Sequence, residues 1–154
     1  MENFHLIYVI CVLLILPLLS IAFDKERKSI DTGIKWFVFW ALGVRLFTAG
    51  IVQVFNSSYT ADFLLQIEMS DYLVVRELGF CNIAMGTLAI LSLFWEKYRK
   101  PASICVGIFI SGAMILHIIR IEQINFSEFV SLAGDVFIVV IAVLCIVRDR
   151  VKVK

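Results

Sequence analysis

Five long apolar blocks dominate the chain, separated by short polar segments. They run over about residues 4–23, 34–55, 73–95, 102–121 and 128–147. Each is close to the ~20 residues a helix needs to cross a hydrocarbon layer roughly 30 Å thick. The pattern predicts five transmembrane helices. They leave no room for a second domain, so residues 1–154 form a single transmembrane domain.

Basic residues orient the path. Lys25, Arg27, Lys28 and Lys35 follow the first block, Lys97, Arg99 and Lys100 follow the third, and Arg148, Arg150, Lys152 and Lys154 form the tail. All lie on one side of a five-span path. The opposite connections, 56–72 and 122–127, contain no Lys or Arg and carry Asp62, Glu68, Asp71 and Glu122. Positive charge favours the cytoplasmic side. The expected fold class is therefore an all-α integral membrane protein, a five-span transmembrane helical bundle with the N-terminus outside and the C-terminus cytoplasmic. Trp36, Trp40, Trp95 and Tyr98 fall at the expected cytoplasmic interface, where amphipathic rings collect. Ser20-Ile21-Ala22 has the look of a signal-peptide cleavage site, but Glu2 and the lack of a leading Lys or Arg argue for a retained span.

Local signals refine the boundaries. Asp31 and Thr32 are candidate caps for the second span, and Ser70 and Asp71 for the third. Pro101 suits the first turn of the fourth. Pro17 is expected to kink the far end of the first. Phe63, Leu64 and Ile67, within 60–69, have the spacing of a short interfacial helix, with an ordinary loop the alternative. Two small-residue stripes, Gly79-Asn82-Gly86 and Ser103-Gly107-Ser111, predict close helix contacts.

Composition agrees. Apolar residues make up 61% and charged residues 18%, against about 25% charged in an ordinary soluble domain. So much apolar surface does not fit inside one soluble core of this size. The net charge of +1 offers no basic face for nucleic acid. The four cysteines, Cys11, Cys81, Cys105 and Cys145, lie in different spans without metal-ligand spacing and read as packing residues. No metal or cofactor motif is present, and the expectation is no metal, no cofactor and no identified catalytic residue. Asn56-Ser57-Ser58 and Asn125-Phe126-Ser127 match glycosylation sequons, which matter only in a eukaryotic secretory pathway.

The candidate chemistry lies in charges within the spans, which are costly in a bilayer and so mark function by default. Arg45 is mid-membrane and Asp135 is the deepest acid. Glu77 and His117 sit about one turn inside the outer surface, and Arg76, Arg120 and Glu128 mark its rim. Apart from Arg45, these embedded groups fall in the outer half. Arg45 is expected to pair with Asp135, with Glu77 as the alternative acid. The expected ligand site comprises Arg45, Glu77, Asn82, His117, Arg120, Glu128 and Asp135. It would lie in a water-accessible cavity between spans two to five, closed beneath Arg45.

The strings Lys35-Trp36-Phe37-Val38-Phe39-Trp40-Ala41-Leu42-Gly43-Val44-Arg45-Leu46 and Arg76-Glu77-Leu78-Gly79-Phe80-Cys81-Asn82-Ile83-Ala84-Met85-Gly86, with His117-Ile118-Ile119-Arg120, Asn125, Glu128 and Asp135-Val136-Phe137, resemble small uncharacterised prokaryotic multi-span proteins, distantly similar to DoxX-like membrane proteins. DoxX-like proteins are usually described with four spans, against five here. The resemblance implies a prokaryotic cytoplasmic membrane and no transferable activity. Three functions are consistent with the sequence. The first is a small binding or transport protein whose extracytoplasmic pocket takes a small anionic or amphipathic ligand. The second is a non-catalytic accessory or scaffold subunit of a membrane complex. The third is a membrane-embedded lipid-modifying enzyme with His117 and a carboxylate as acid and base. Membrane lipids are the expected partners; a second copy or another membrane subunit is left open.

Overall fold

The computed structural model describes residues 2–25, 29–64 and 72–152. The described residues are helical apart from short connections. Five helices are long and apolar enough to cross a membrane: α1 (Phe4–Phe23), α2 (Ile30–Phe55), α3 (Leu73–Leu91), α4 (Glu96–Ile119) and α5 (Phe126–Arg148). At most 39% of any span is buried inside the bundle. The rest presents side chains such as Phe4, Leu18, Phe80, Ile108 and Leu144 to the surroundings. A surface so apolar is stable against lipid and not against water, which makes this a multi-pass membrane protein.

α2 is the central element, touching the other four helices. Its Val38, Ala41 and Leu42 are fully buried, packed with Val106 from α4 and Ile138 and Ala142 from α5. α3 lies against α2 at backbone contact. A β-carbon on Gly50 would stand 2.5 Å from the Gly79 carbonyl oxygen, and one on Gly86 would stand 2.5 Å from the Phe47 nitrogen. Only a hydrogen fits at these positions, so Gly79 and Gly86 form the expected contact stripe. α4 and α5 pack together in the same way more loosely, with Ser103 fully buried and Gly107 facing Ala142. α1 packs against α5 and α2.

Two helices widen locally. α1 contains a π-helical turn at Cys11–Ile15, one residue ahead of Pro17. Proline lacks an N–H and its ring crowds the carbonyl four residues back, and the wider turn relieves both. α2 contains a second π-helical turn, Val38–Val44, which ends at Arg45. Such turns re-aim the side chains that follow them and recur at functional sites.

Several boundaries differ from the sequence expectation. α2 begins at Ile30 because Ser29, not Asp31 or Thr32, is its cap: the Ser29 hydroxyl accepts from the Thr32 N–H at 3.3 Å. Asp31 instead receives Arg148 at 2.9 and 3.4 Å, tying α2 to α5. The expected caps Ser70 and Asp71, and residues 65–69 of the expected segment 60–69, lie outside the described residues; a short π-helical segment covers Tyr59–Leu64. α3 stops at Leu91, where Ser92 turns its hydroxyl back to the Ala89 carbonyl at 2.6 Å. The α5 helix continues through the basic tail to Lys152. Cys145 is buried, but Cys81 and Cys105 are exposed on the outside of the bundle, so the packing role expected of them fails there. At the end rich in basic residues, the Trp36 and Trp40 indole N–H groups donate to Asp24 and Ser20 at 2.5 and 2.9 Å, and Lys35 pairs with Asp24 at 2.7 Å.

Candidate functional site

Most of the buried apolar core lies nearer the end rich in basic residues, and a group of charged and polar side chains lies nearer the other end. The core centres on residues 38–46 of α2 and 138–145 of α5. Toward the end that holds the N-terminus, the helices part around a cavity of about 390 Å³. All five helices line it, together with Thr60 from the α2–α3 connection.

Arg45 and Asp135 form its floor. Each stands roughly 15 Å along its helix from this end of the bundle, by helical rise. That equal depth lets the Arg45 Nη1 donate to Asp135 Oδ1 at 3.0 Å. Both side chains are largely buried, at 12% and 6% exposure. A β-carbon on Gly134 would lie 3.1 Å from the Arg45 Nη2. The absent side chain is what leaves room for the guanidinium beside α5.

Above the floor stands His117 from α4. Its Nδ1 is 3.9 Å from Glu128 Oε1 and its Nε2 is 4.0 Å from Asp135 Oδ2. The ring therefore bridges the two acids at ion-pair distance, beyond direct hydrogen bonding. Arg120, the most exposed of these groups, is 3.9 Å from the same Glu128 oxygen and stands at the rim.

Glu128 has two roles because its two oxygens face different ways. Oε2 accepts from the Asn125 N–H at 3.2 Å, while Asn125 Oδ1 accepts from the Glu128 N–H at 2.9 Å. This reciprocal capping box starts α5 and gives Asn125 a structural role. Oε1 is left buried without a hydrogen-bond partner among the described residues. On α3, the Asn82 amide donates to Gln53 Oε1 at 2.7 Å, and its own Oδ1 is likewise buried and unpaired. On α1, Tyr8 shares a hydrogen bond with Thr48, whose hydroxyl is also held by the Val44 and Arg45 carbonyls at 2.7 and 3.1 Å. His5, one turn above Tyr8, has a buried Nδ1 without a hydrogen-bond partner among the described residues.

Six of the seven expected site residues thus meet at one cavity: Arg45, Asn82, His117, Arg120, Glu128 and Asp135. Glu77 does not. It is exposed on the outer face of α3, and among the described residues it is Asp135 that pairs with Arg45. The cavity also takes in α1, through His5 and Tyr8, which were not among the expected site residues. Their signal was available: two polar rings three residues apart on an otherwise apolar helix share a face. Gly134 was missed too, since nothing in the sequence tells which side chain a glycine makes room for. Among the described residues, no group of three or more His, Cys, Asp or Glu side chains is placed to hold a metal ion.

No curated protein and no solved structure matches the chain. Residues 2–154, nearly the whole bundle and every residue of the cavity, match one family, and the chain belongs to it: a family of unknown function (DUF6790).

Proposed function

We propose that this protein binds a small amphipathic molecule in the polar cavity. The observation that carries the reading is a set of three buried atoms without a hydrogen-bond partner among the described residues: His5 Nδ1, Asn82 Oδ1 and Glu128 Oε1 all belong to residues that line it. A buried polar atom without a partner costs about 1–3 kcal/mol. Three on one cavity are accounted for when a bound molecule or water completes their hydrogen bonds. The volume falls within the range of small-molecule sites. An anionic ligand has less support, because Arg45 already spends its charge on Asp135.

By the distribution of Lys and Arg, the cavity opens on the extracytoplasmic side, with the C-terminus in the cytoplasm. The resemblance to prokaryotic multi-span proteins suggests a cytoplasmic membrane. A pure scaffold would pair its charges fully and close the space between them, and the cavity speaks against that. The acid–base alternative has weaker support, since neither His117 nitrogen is within direct hydrogen-bond reach of a carboxylate.

The test is native mass spectrometry of purified protein released from detergent. Wild type should retain a bound amphiphile. Ala113→Phe, which projects a ring into the cavity from α4, should lose it while unfolding at a similar temperature. Equal retention by both proteins would refute the cavity as the site.

A further inference from the structure

A second cavity lies beside the first. It is an apolar groove of about 360 Å³ between α1 and α5, lined by residues including Leu6, Ile10, Leu14, Phe129, Ala133 and Phe137. Leu14, Phe129 and Ala133 are exposed, so the groove opens toward the lipid side of the bundle. Two features join it to the polar cavity. Val9 lines both. Gly134 also lines the groove, and the missing β-carbon leaves the Arg45 guanidinium and Leu13 directly behind it. The apolar groove and the polar cavity thus approach each other around Val9, Leu13, Gly134 and the Arg45 guanidinium.

Resting on the reading of the polar cavity as a ligand site, we infer that its ligand is a single-chain lipid-like amphiphile. Its tail lies in the α1–α5 groove and its head, a hydrogen-bond donor, lies in the polar cavity. The shape follows from one apolar and one polar compartment that adjoin at Val9, which lines both. The head chemistry follows from the partners left over. Glu128 Oε1 can only accept while ionised. The formal charges at the cavity already balance, Arg45 and Arg120 against Glu128 and Asp135. An anionic head would add negative charge beside two carboxylates. A hydroxyl or ammonium head supplies the missing proton donor without doing so.

Photo-crosslinking in lipid nanodiscs tests this, using a monoacylglycerol that carries a diazirine in its tail and a second one that carries it at the head. The expected result is saturable tail adducts on α1 and α5 groove residues and head adducts on cavity residues. Ala133→Trp, which fills the groove from an exposed position, should cut tail labelling there about tenfold, and Ala113→Phe should cut both. Unlabelled monoacylglycerol or a long-chain alkylamine should compete, and an alkylsulfonate of equal chain length should not. Head adducts in the cavity with tail adducts scattered over the lipid-facing surface would overturn the groove and leave the cavity reading standing. No saturable labelling at either place would overturn both. Groove labelling that survives Ala113→Phe would mark bulk lipid and overturn the inference, as would an alkylsulfonate that competes as well as the glyceride.

Discussion

Replacing Arg45 by Leu leaves Asp135 buried beside a glycine with its bonded cation removed. Breaking a buried ion pair from one side costs about 3–5 kcal/mol, because the surviving charge stays desolvated. Here the open cavity gives the survivor some access to water, so the lower end, about 3 kcal/mol, is expected for either Arg45→Leu or Asp135→Leu. For a chain of this length that is a fall of roughly 6–12 °C in unfolding temperature. The double variant removes both charges and places two apolar side chains at the floor. It should recover most of the loss, because apolar replacement of a buried pair is often neutral or better. Thermal unfolding in detergent, followed by tryptophan fluorescence, gives the three values, and the coupling is the double minus the sum of the singles. Losses that simply add would show that the two charges do not sense each other, and the floor of the cavity would have to be redrawn.

Three other outcomes are expected. Gly134→Ala should lower stability by about 1–2 kcal/mol, since its methyl would press within 3.1 Å of the Arg45 Nη2, and the effect should vanish in an Arg45→Leu background; persistence there would assign the cost to Leu13 instead. Asn125→Ala should cost about 1 kcal/mol through the lost cap of α5 while leaving amphiphile retention intact; Glu128→Gln should keep the cap but lose retention, and a matching loss of both properties in both variants would deny Glu128 its two separate roles. In a cysteine-free background, a reporter cysteine at Ser58 should react with an impermeant thiol reagent added to intact cells, whereas one at Lys28 or Lys152 should not; labelling of Lys28 from outside would reverse the orientation of the bundle.

The five spans were legible because an unbroken apolar stretch of ~20 residues matches the thickness of a bilayer and exceeds what a small soluble core can bury. The Arg45–Asp135 pair was legible on different grounds: a lone charge in mid-membrane is so costly that its partner must lie at similar depth. The boundaries were less so. Ser29 caps α2 one turn before the apolar block begins, and α5 runs on through charged residues, because hydropathy marks where lipid starts and not where a helix does. The π-helical turns were not legible at all. They exchange hydrogen bonds within one helix without changing which residues are apolar, and Pro17 marks only the one in α1.

Glu77 was assigned to the cavity against information the sequence already held. Residues advance about 100° around a helix. Gly79, Asn82 and Gly86 lie on one face, and that face is pressed against α2. Glu77 lies two residues from Gly79, which turns it to nearly the opposite side. Depth alone suggested a partner for Arg45; the glycine stripe should have vetoed it. The same logic explains why α1 belongs to the site. His5 and Tyr8 share a face with Val9 and Val12 within a turn either way, and Val9 and Val12 are buried positions of that helix. A polar ring on the buried face of an apolar helix has nothing to bond unless the interior is polar there. Tyr8 finds Thr48, and the His5 Nδ1 finds no partner among the described residues. Both rings line the cavity whose floor is the Arg45–Asp135 pair, which is the polar part of the interior at that depth.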